Sequence, residues 1–293
     1  MPVQENSFKP YSEVITGSII YGTIGIFLDR IHDMSAGSIL FSRLFFGFCM
    51  IFIYLLLNRG LWQIKPGKNK KYLLILGLLN AITGMCYFSS IRYSGISIAV
   101  LLLYTAPVYV SLLAPSILGE QRNSNSFFPL LLATAGVLLI AHPGDLLVNT
   151  SHAFRKGLIF GLLSGLSFGA TIITIRYLRD DYSGIAQTFW LTGISLLFLL
   201  PSALSTPSVV YVKNLEVLIF FGLTVTFAAV IYLRGISGIR AQTGSILALV
   251  EPVSGIFFDI TVLKNPLYIS TLLGCSLILT AAYIISKTDE VKS

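Results

Sequence analysis

Apolar residues in this chain run in long uninterrupted stretches, separated by short polar connections. A bilayer hydrocarbon core of about 30 Å is crossed by roughly 20 apolar residues wound as α-helix, and at that length the chain divides into ten segments. The expected spans are 12–29, 37–57, 72–91, 97–118, 126–141, 157–177, 186–204, 215–234, 241–263 and 267–285. Runs such as Tyr72 to Leu79 are apolar on every side, whereas strands of a membrane β-barrel alternate apolar and polar positions. The pattern therefore predicts an all-α membrane protein of ten transmembrane helices. Glu5, Lys9 and Glu13 precede or open the first span, and no small-residue cleavage site follows it. That span is expected to remain as a helix rather than to be removed as a signal peptide.

Composition excludes the water-soluble classes. Of 293 residues, 55% are hydrophobic and 11% charged, where a soluble domain carries about a quarter charged residues. The formal charge of +7 does not point to nucleic acid, because the basic residues sit in short loops rather than on one face. They report orientation instead. Thirteen of the 20 Lys and Arg residues fall on the side that holds both termini, the largest group being Arg59, Lys65, Lys68, Lys70 and Lys71. Six fall on the other side, with Arg43 left inside the second span. Positive charge marks the cytoplasmic face, so both termini are expected inside the cell membrane. Cys49, Cys86 and Cys275 lie within apolar runs and offer neither a disulfide framework nor a metal motif. The Asn149-Thr150-Ser151 sequon falls in an outside loop and is of a kind common by chance.

The chain also resembles itself. A shift of 145 residues aligns Gly77-Leu78 with Gly222-Leu223, Tyr87 with Tyr232, Ile91 with Ile236, Leu102 with Leu247, Pro107-Val108 with Pro252-Val253, and Leu118 with Leu263, without a gap. Two repeats of five helices, 1–145 and 146–293, follow. Five is odd, so the second repeat enters the membrane from the opposite face and the repeats are inverted, an arrangement used by transporters.

Ser97 to Glu120 reads SIAVLLLYTAPVYVSLLAPSILGE and Ala241 to Ile260 reads AQTGSILALVEPVSGIFFDI. With their mid-helix prolines, Gly119-Glu120 and Glu251-Pro252, and with Ser42-Arg43-Leu44-Phe45 in the second span, these stretches resemble the drug/metabolite transporter superfamily, specifically its EamA-type ten-helix members. The resemblance covers nearly the whole chain. It implies alternating access by two inverted repeats, often exporting amino acids or other small metabolites. One departure is Lys264-Asn265, where many members repeat the Gly-Glu at the end of the ninth helix, which puts a symmetric role for the two helix-end carboxylates in doubt.

Charged groups deep in hydrocarbon are costly and usually functional. Arg43, Glu251 and Asp259 are the three clearly inside expected spans. Glu251 sits near mid-membrane beside Pro252, which frees a carbonyl, and is the leading candidate for binding solute or a coupling proton. Arg43 reads more readily as structural, able to pair with Asp259, itself near the interface. Ser97, Tyr104 and Ser111 recur at seven-residue spacing, nearly two turns, and place three hydroxyls on one stripe. Tyr87 and Tyr232 occupy equivalent positions that suit interfacial anchors as well as ligands. Asn80, Trp190, Gln187 and Thr192 are further polar or aromatic groups in apolar runs. Gly157, Gly161, Gly165 and Gly169 remove bulk from one face of the sixth helix, so a neighbouring backbone can approach.

Gly165-Leu166-Ser167-Phe168-Gly169 matches GxSxG formally, but that motif needs a strand-turn-helix elbow. His32, His142 and His152 fall in loops without an orienting acid. The expected function is therefore a secondary active transporter of a small metabolite. An intramembrane enzyme acting on lipid or peptide is the alternative, and it lacks a nucleophile-base pair. A channel is disfavoured because polar residues cluster on a few helices. The partners implied are a small-molecule substrate, the lipid bilayer and a coupling proton or counter-substrate; no nucleic acid, cofactor or metal is expected.

Overall fold

The computed structural model describes residues 8–120, 126–141 and 151–290. His142, the sequon asparagine and Thr150 lie outside the described residues. The first span consists of α1 (Lys9–Tyr21) and α2 (Ile24–Asp29); the second and third are α3 (Ala36–Leu57) and α4 (Lys70–Ser94). The fourth is split into α5 (Ile96–Leu103) and α6 (Ala106–Leu118), and α7 (Phe127–Ala141), α8 (His152–Tyr177), α9 (Gly184–Leu204) and α10 (Ser208–Gly238) form the fifth to eighth. The ninth is again split, into α11 (Ala241–Leu247) and α12 (Val250–Thr261), and α13 (Ile269–Glu290) is the tenth. Among the described residues, nine spans are long and apolar enough to cross a membrane, and α7 is a shorter apolar helix.

Local chemistry sets the boundaries. Ser35, Ser151 and Ser183 accept hydrogen bonds from the backbone N–H groups of Ser38, Phe154 and Ala186, capping α3, α8 and α9. The eighth span begins earlier than its hydropathy suggests. Its polar first turns hold the loop before α3: Asn214 Nδ2 donates to the His32 carbonyl at 3.0 Å and its Oδ1 accepts from the His32 N–H at 3.1 Å.

Three spans expected to be continuous are interrupted near their middles. Pro107 and Pro252 have no N–H to offer the carbonyls four residues back. The chain tightens there instead: Thr105 and Val108 donate to Leu102 and Thr105 at 3.2 and 2.9 Å, and Leu249 and Glu251 donate to Ile246 and Ala248 at 3.1 and 3.0 Å. In the first span the interruption lies at Gly22-Thr23, where the Thr23 hydroxyl also donates to the Ile20 carbonyl at 2.7 Å.

The most extensive helix packing joins α4 to α8, α7 to α13, α1 to α10 and α3 to α9. Exchanging the first five spans for the last five maps the third–sixth contact onto the eighth–first contact, and the second–seventh and fifth–tenth contacts onto themselves. Leu76, Val110, Ile172, Ile236 and Leu247 from both halves share one buried core, while Leu57, Leu204 and Ile269 are among the exposed apolar side chains, as a lipid solvent permits. Successive spans alternate in direction. One end of the bundle, the terminal end, carries the start of α1 and the end of α13; the far end carries the α2–α3 and α9–α10 connections.

The glycines of α8 seat the interrupted fourth span. A Cβ on Gly161 would lie 2.4 Å from Leu102 Cδ1, and one on Gly165 would lie 2.4 Å from the Leu102 carbonyl oxygen and 2.5 Å from Thr105 Oγ1. Gly157 faces Ser94 and Gly169 faces the Ala106 carbonyl. Ser167 on the same helix donates to the Leu163 carbonyl at 2.8 Å, so the formal GxSxG match is ordinary helix.

Candidate functional site

Three adjoining cavities of about 180, 210 and 350 Å³ share Tyr104 and Glu251 in their walls. They occupy the middle of the bundle and its far half. Tyr104 lies at the break between α5 and α6, and Glu251 lies in the first turn of α12, just after the break in the ninth span. The two interruptions thus present a phenol and a carboxyl to one space. Tyr104 and Glu251 line the same three cavities, which brings the fourth and ninth spans to one site.

The opposite wall is built by α1, α3 and α10. Arg43 lies across from Glu251, and both line the 180 and 210 Å³ cavities. Its guanidinium stands over the Phe221 ring, 5.7 Å from the centroid. Tyr21 and Tyr232 meet edge to face at 5.7 Å and both line the central cavity. Asn80 and Thr83 from α4, Thr171 from α8, Thr192 from α9 and Thr226 from α10 complete a polar ring. Several of these groups are already engaged: Asn80 Nδ2 donates to Ser195 Oγ at 2.9 Å and the Thr83 hydroxyl to Ser167 Oγ at 2.8 Å.

Five of the expected site residues converge on these cavities: Glu251, Tyr104, Tyr87, Tyr232 and Asn80. Arg43 joins them, where a structural pairing with Asp259 was expected. Asp259 instead accepts from Asn265 Nδ2 at 2.8 Å, a contact six residues away that leaves Arg43 to the central space. Tyr232 is 5% exposed, so it is a buried cavity residue rather than an interfacial anchor. The seven-residue hydroxyl stripe does not form. The break at Tyr104-Thr105 changes the helical phase, Ser97 is exposed, and neither Ser97 nor Ser111 is among the lining residues. Trp190 is also absent from the lining; its indole N–H donates to the Ile64 carbonyl at 3.0 Å. Pro252 lines the 350 Å³ cavity, while Pro107 and the α8 glycines act through the backbone. Tyr21 was not singled out in the sequence. Its position beside Gly22 within an apolar run was the available signal.

A second polar cluster closes the terminal end. Glu120 Oε1 accepts from Arg176 Nε at 3.1 Å, and Glu120 Oε2 accepts from the Ala241 N–H at 3.1 Å. Arg176 also donates to the Ser237 carbonyl. One carboxylate thereby gathers the ends of α6, α8 and α10 and the first N–H of α11, where a negative charge is favoured. Arg234 and Glu13 pair at 2.7 Å between α10 and α1, and the Tyr182 hydroxyl accepts from the Gly67 N–H at 2.9 Å.

Comparison with known proteins agrees with this architecture. A solved crystal structure superimposes with a TM-score of 0.81 at 15% sequence identity, covering 96% of this chain and 98% of that one, which establishes the shared fold. An uncharacterized transporter of Archaeoglobus fulgidus is 28% identical over 274 residues, spanning 92% of this chain and 94% of the relative. The pseudopaline exporter CntI of Pseudomonas aeruginosa is 26% identical over 169 residues, 57% of this chain and 56% of the exporter. The EamA-like transporter family model matches twice, at residues 10–142 and 155–287. With apolar helices that cross a membrane and both halves of its length matched by one family, this chain is an integral membrane protein that belongs to the EamA-like transporter family.

Proposed function

We propose that the chain is a secondary active transporter that exports a small metabolite, an amino acid or related solute, by alternating access. In this reading residues 1–145 and 146–293 are inverted repeats that rock about the central cavity, and both termini are cytoplasmic. The halves exchange their helix contacts as such repeats require, and two interrupted helices meet at one midplane site, as in other transporters. The P. aeruginosa relative supports the export direction for a small metabolite.

The observation that carries the proposal is Glu251: a carboxyl at a helix break, facing a cavity large enough for a solute that it shares with a phenol, Tyr104, from the equivalent break. Such a group can exchange a proton or take a substrate ammonium as the cavity opens to one side and then the other. Glu251→Gln preserves shape and one acceptor while removing the charge. It is expected to leave melting temperature unchanged, to abolish transport driven by a pH gradient in proteoliposomes, and to flatten the pH profile of what remains. Parent-like transport with unchanged pH dependence would remove Glu251 from the mechanism.

A further inference from the structure

Two residues that line the central cavity carry a buried polar atom without a protein partner. The atoms are Arg43 Nε and the Tyr232 hydroxyl. Both belong to the wall formed by α3 and α10, opposite the Tyr104–Glu251 pair. A buried polar group left unsatisfied is costly, and natural structures rarely retain one without a use. The ion pairs found among the described residues do not join Arg43 to Glu251, so space remains between the two charges. Arg43 and Glu251 are also the one guanidinium and the one carboxyl among the residues lining the 180 Å³ cavity.

We infer that Arg43 and Tyr232 form a carboxylate seat, and that the transported solute is a zwitterion whose carboxylate docks there while its ammonium docks on Glu251. The chemistry of each wall supports this assignment. A guanidinium Nε–H and a phenol O–H are both donors and neither needs to lose a proton, which suits an oxyanion. Glu251 has its charge to offer a cation. A solute carrying both charges satisfies both walls and keeps the enclosed space neutral, whereas an amine or an acid alone strands one buried charge. The Phe221 ring lies under the guanidinium, 5.7 Å from Arg43 Cζ to its centroid, which narrows the directions from which a carboxylate can reach it. Asn80 and Thr83 are committed to Ser195 and Ser167, which leaves the main recognition to the charged walls.

This inference rests on the transporter reading and deepens it. The test uses three isosteric sets: leucine, 3-methylbutan-1-amine and 4-methylpentanoate; phenylalanine, phenethylamine and 3-phenylpropanoate; serine, ethanolamine and 3-hydroxypropanoate. Binding is measured on purified protein in nanodiscs, and counterflow is measured in proteoliposomes. At least one zwitterion is expected to bind roughly 100-fold more tightly than its own amine or acid, because a site built to satisfy polar groups rejects an analogue that lacks one. Tyr232→Phe is expected to cost the zwitterion about tenfold, and Arg43→Gln to abolish its advantage over the amine. Tyr232→Phe removes a single oxygen and Arg43→Lys keeps the charge; both guard against a misfolded Arg43→Gln. An amine that binds and moves as well as its zwitterion overturns the seat and leaves the transporter standing, as does full zwitterion affinity in Arg43→Gln with parent melting. Transport of a solute outside the panel, with no panel member bound, also overturns the seat alone. Absence of transport of any solute by well-folded protein fails the functional reading, and the seat with it.

Discussion

At the terminal end a single carboxylate, Glu120, holds a guanidinium from α8 and the first N–H of α11, and a second ion pair joins α1 to α10. At the far end the hydrogen bonds described between spans are neutral. Ser38 Oγ donates to the Ser202 carbonyl at 2.7 Å and Asn214 grips the His32 backbone. Where the repeat offset would put a second Glu120, the chain has Asn265, whose amide donates to Asp259 near the end of the preceding helix α12. Breaking a largely buried ion pair leaves a charge unsatisfied and costs more than losing one neutral hydrogen bond. The two ends are therefore held unequally. In the alternating-access reading, opening the terminal end must separate opposite charges, while the far half already holds the cavities.

The helix that bears on both ends is α8, which carries Arg176 at one end and Gly157 against Ser94 at the other. The largest effect is expected from Gly165→Leu, whose side chain would collide with the Leu102 backbone at the break of the fourth span. Overpacking against backbone should lower stability by about 3 kcal/mol or more, read as a collapse of the melting transition. Leu162→Val, on the half-exposed side of the same helix, should stay within about 0.5 kcal/mol. Equal melting for the two would show that the glycine face is not a contact surface.

Next comes Glu120→Gln, which keeps an acceptor for Ala241 but removes the charge facing Arg176. We expect a loss of about 2 kcal/mol. Faster labelling of a Thr171→Cys reporter in the cavity wall by an impermeant thiol reagent applied at the terminal end should accompany it. Unaltered labelling would refute an ionic gate. Tyr182→Phe deletes the acceptor for Gly67 at the same end and should cost about 1 kcal/mol. The smallest effect belongs to the far end: Asn265→Ala should stay within about 0.5 kcal/mol and leave labelling from the terminal end unchanged. Single cysteines at exposed Lys68 and Ser208, in a Cys-free background, assign the sides; cytoplasmic labelling of Lys68→Cys alone is the expected result, and labelling of both from one face would contradict the proposed topology.

Much of the architecture was legible in the sequence, because hydropathy over about 20 residues reports a bilayer crossing directly. Glu251 was legible for the same reason: a carboxyl in an apolar run has few structural excuses. The breaks were less so. Pro107 and Pro252 signalled a lost hydrogen bond, but Tyr104 and Leu249 carry no turn signature, so the interrupted phase that dismantles the Ser97–Tyr104–Ser111 stripe was invisible. The place of Arg43 on the cavity wall was not legible, because depth along a span does not reveal direction around it. The Glu120–Arg176 contact joins residues 56 positions apart near helix ends, where charges are commonplace and carry no pairing information of their own. Trp190 stood out as an aromatic group in an apolar run, and its indole donates to the Ile64 carbonyl, a contact with backbone that no side-chain pattern encodes.

One contact remote from the cavity bears on how the molecule is made. A Cβ on Gly136 of α7 would lie 2.7 Å from the Gly274 carbonyl oxygen of α13, and one on Gly274 would lie 2.6 Å from that of Gly136. The ribosome delivers α7 five spans before α13, so this glycine surface stands without its partner until the last span is made. The fifth and tenth spans can then zip together only after insertion of the second half, which makes their seam a late step of biogenesis and a natural point at which quality-control machinery can distinguish a finished molecule from an unfinished one.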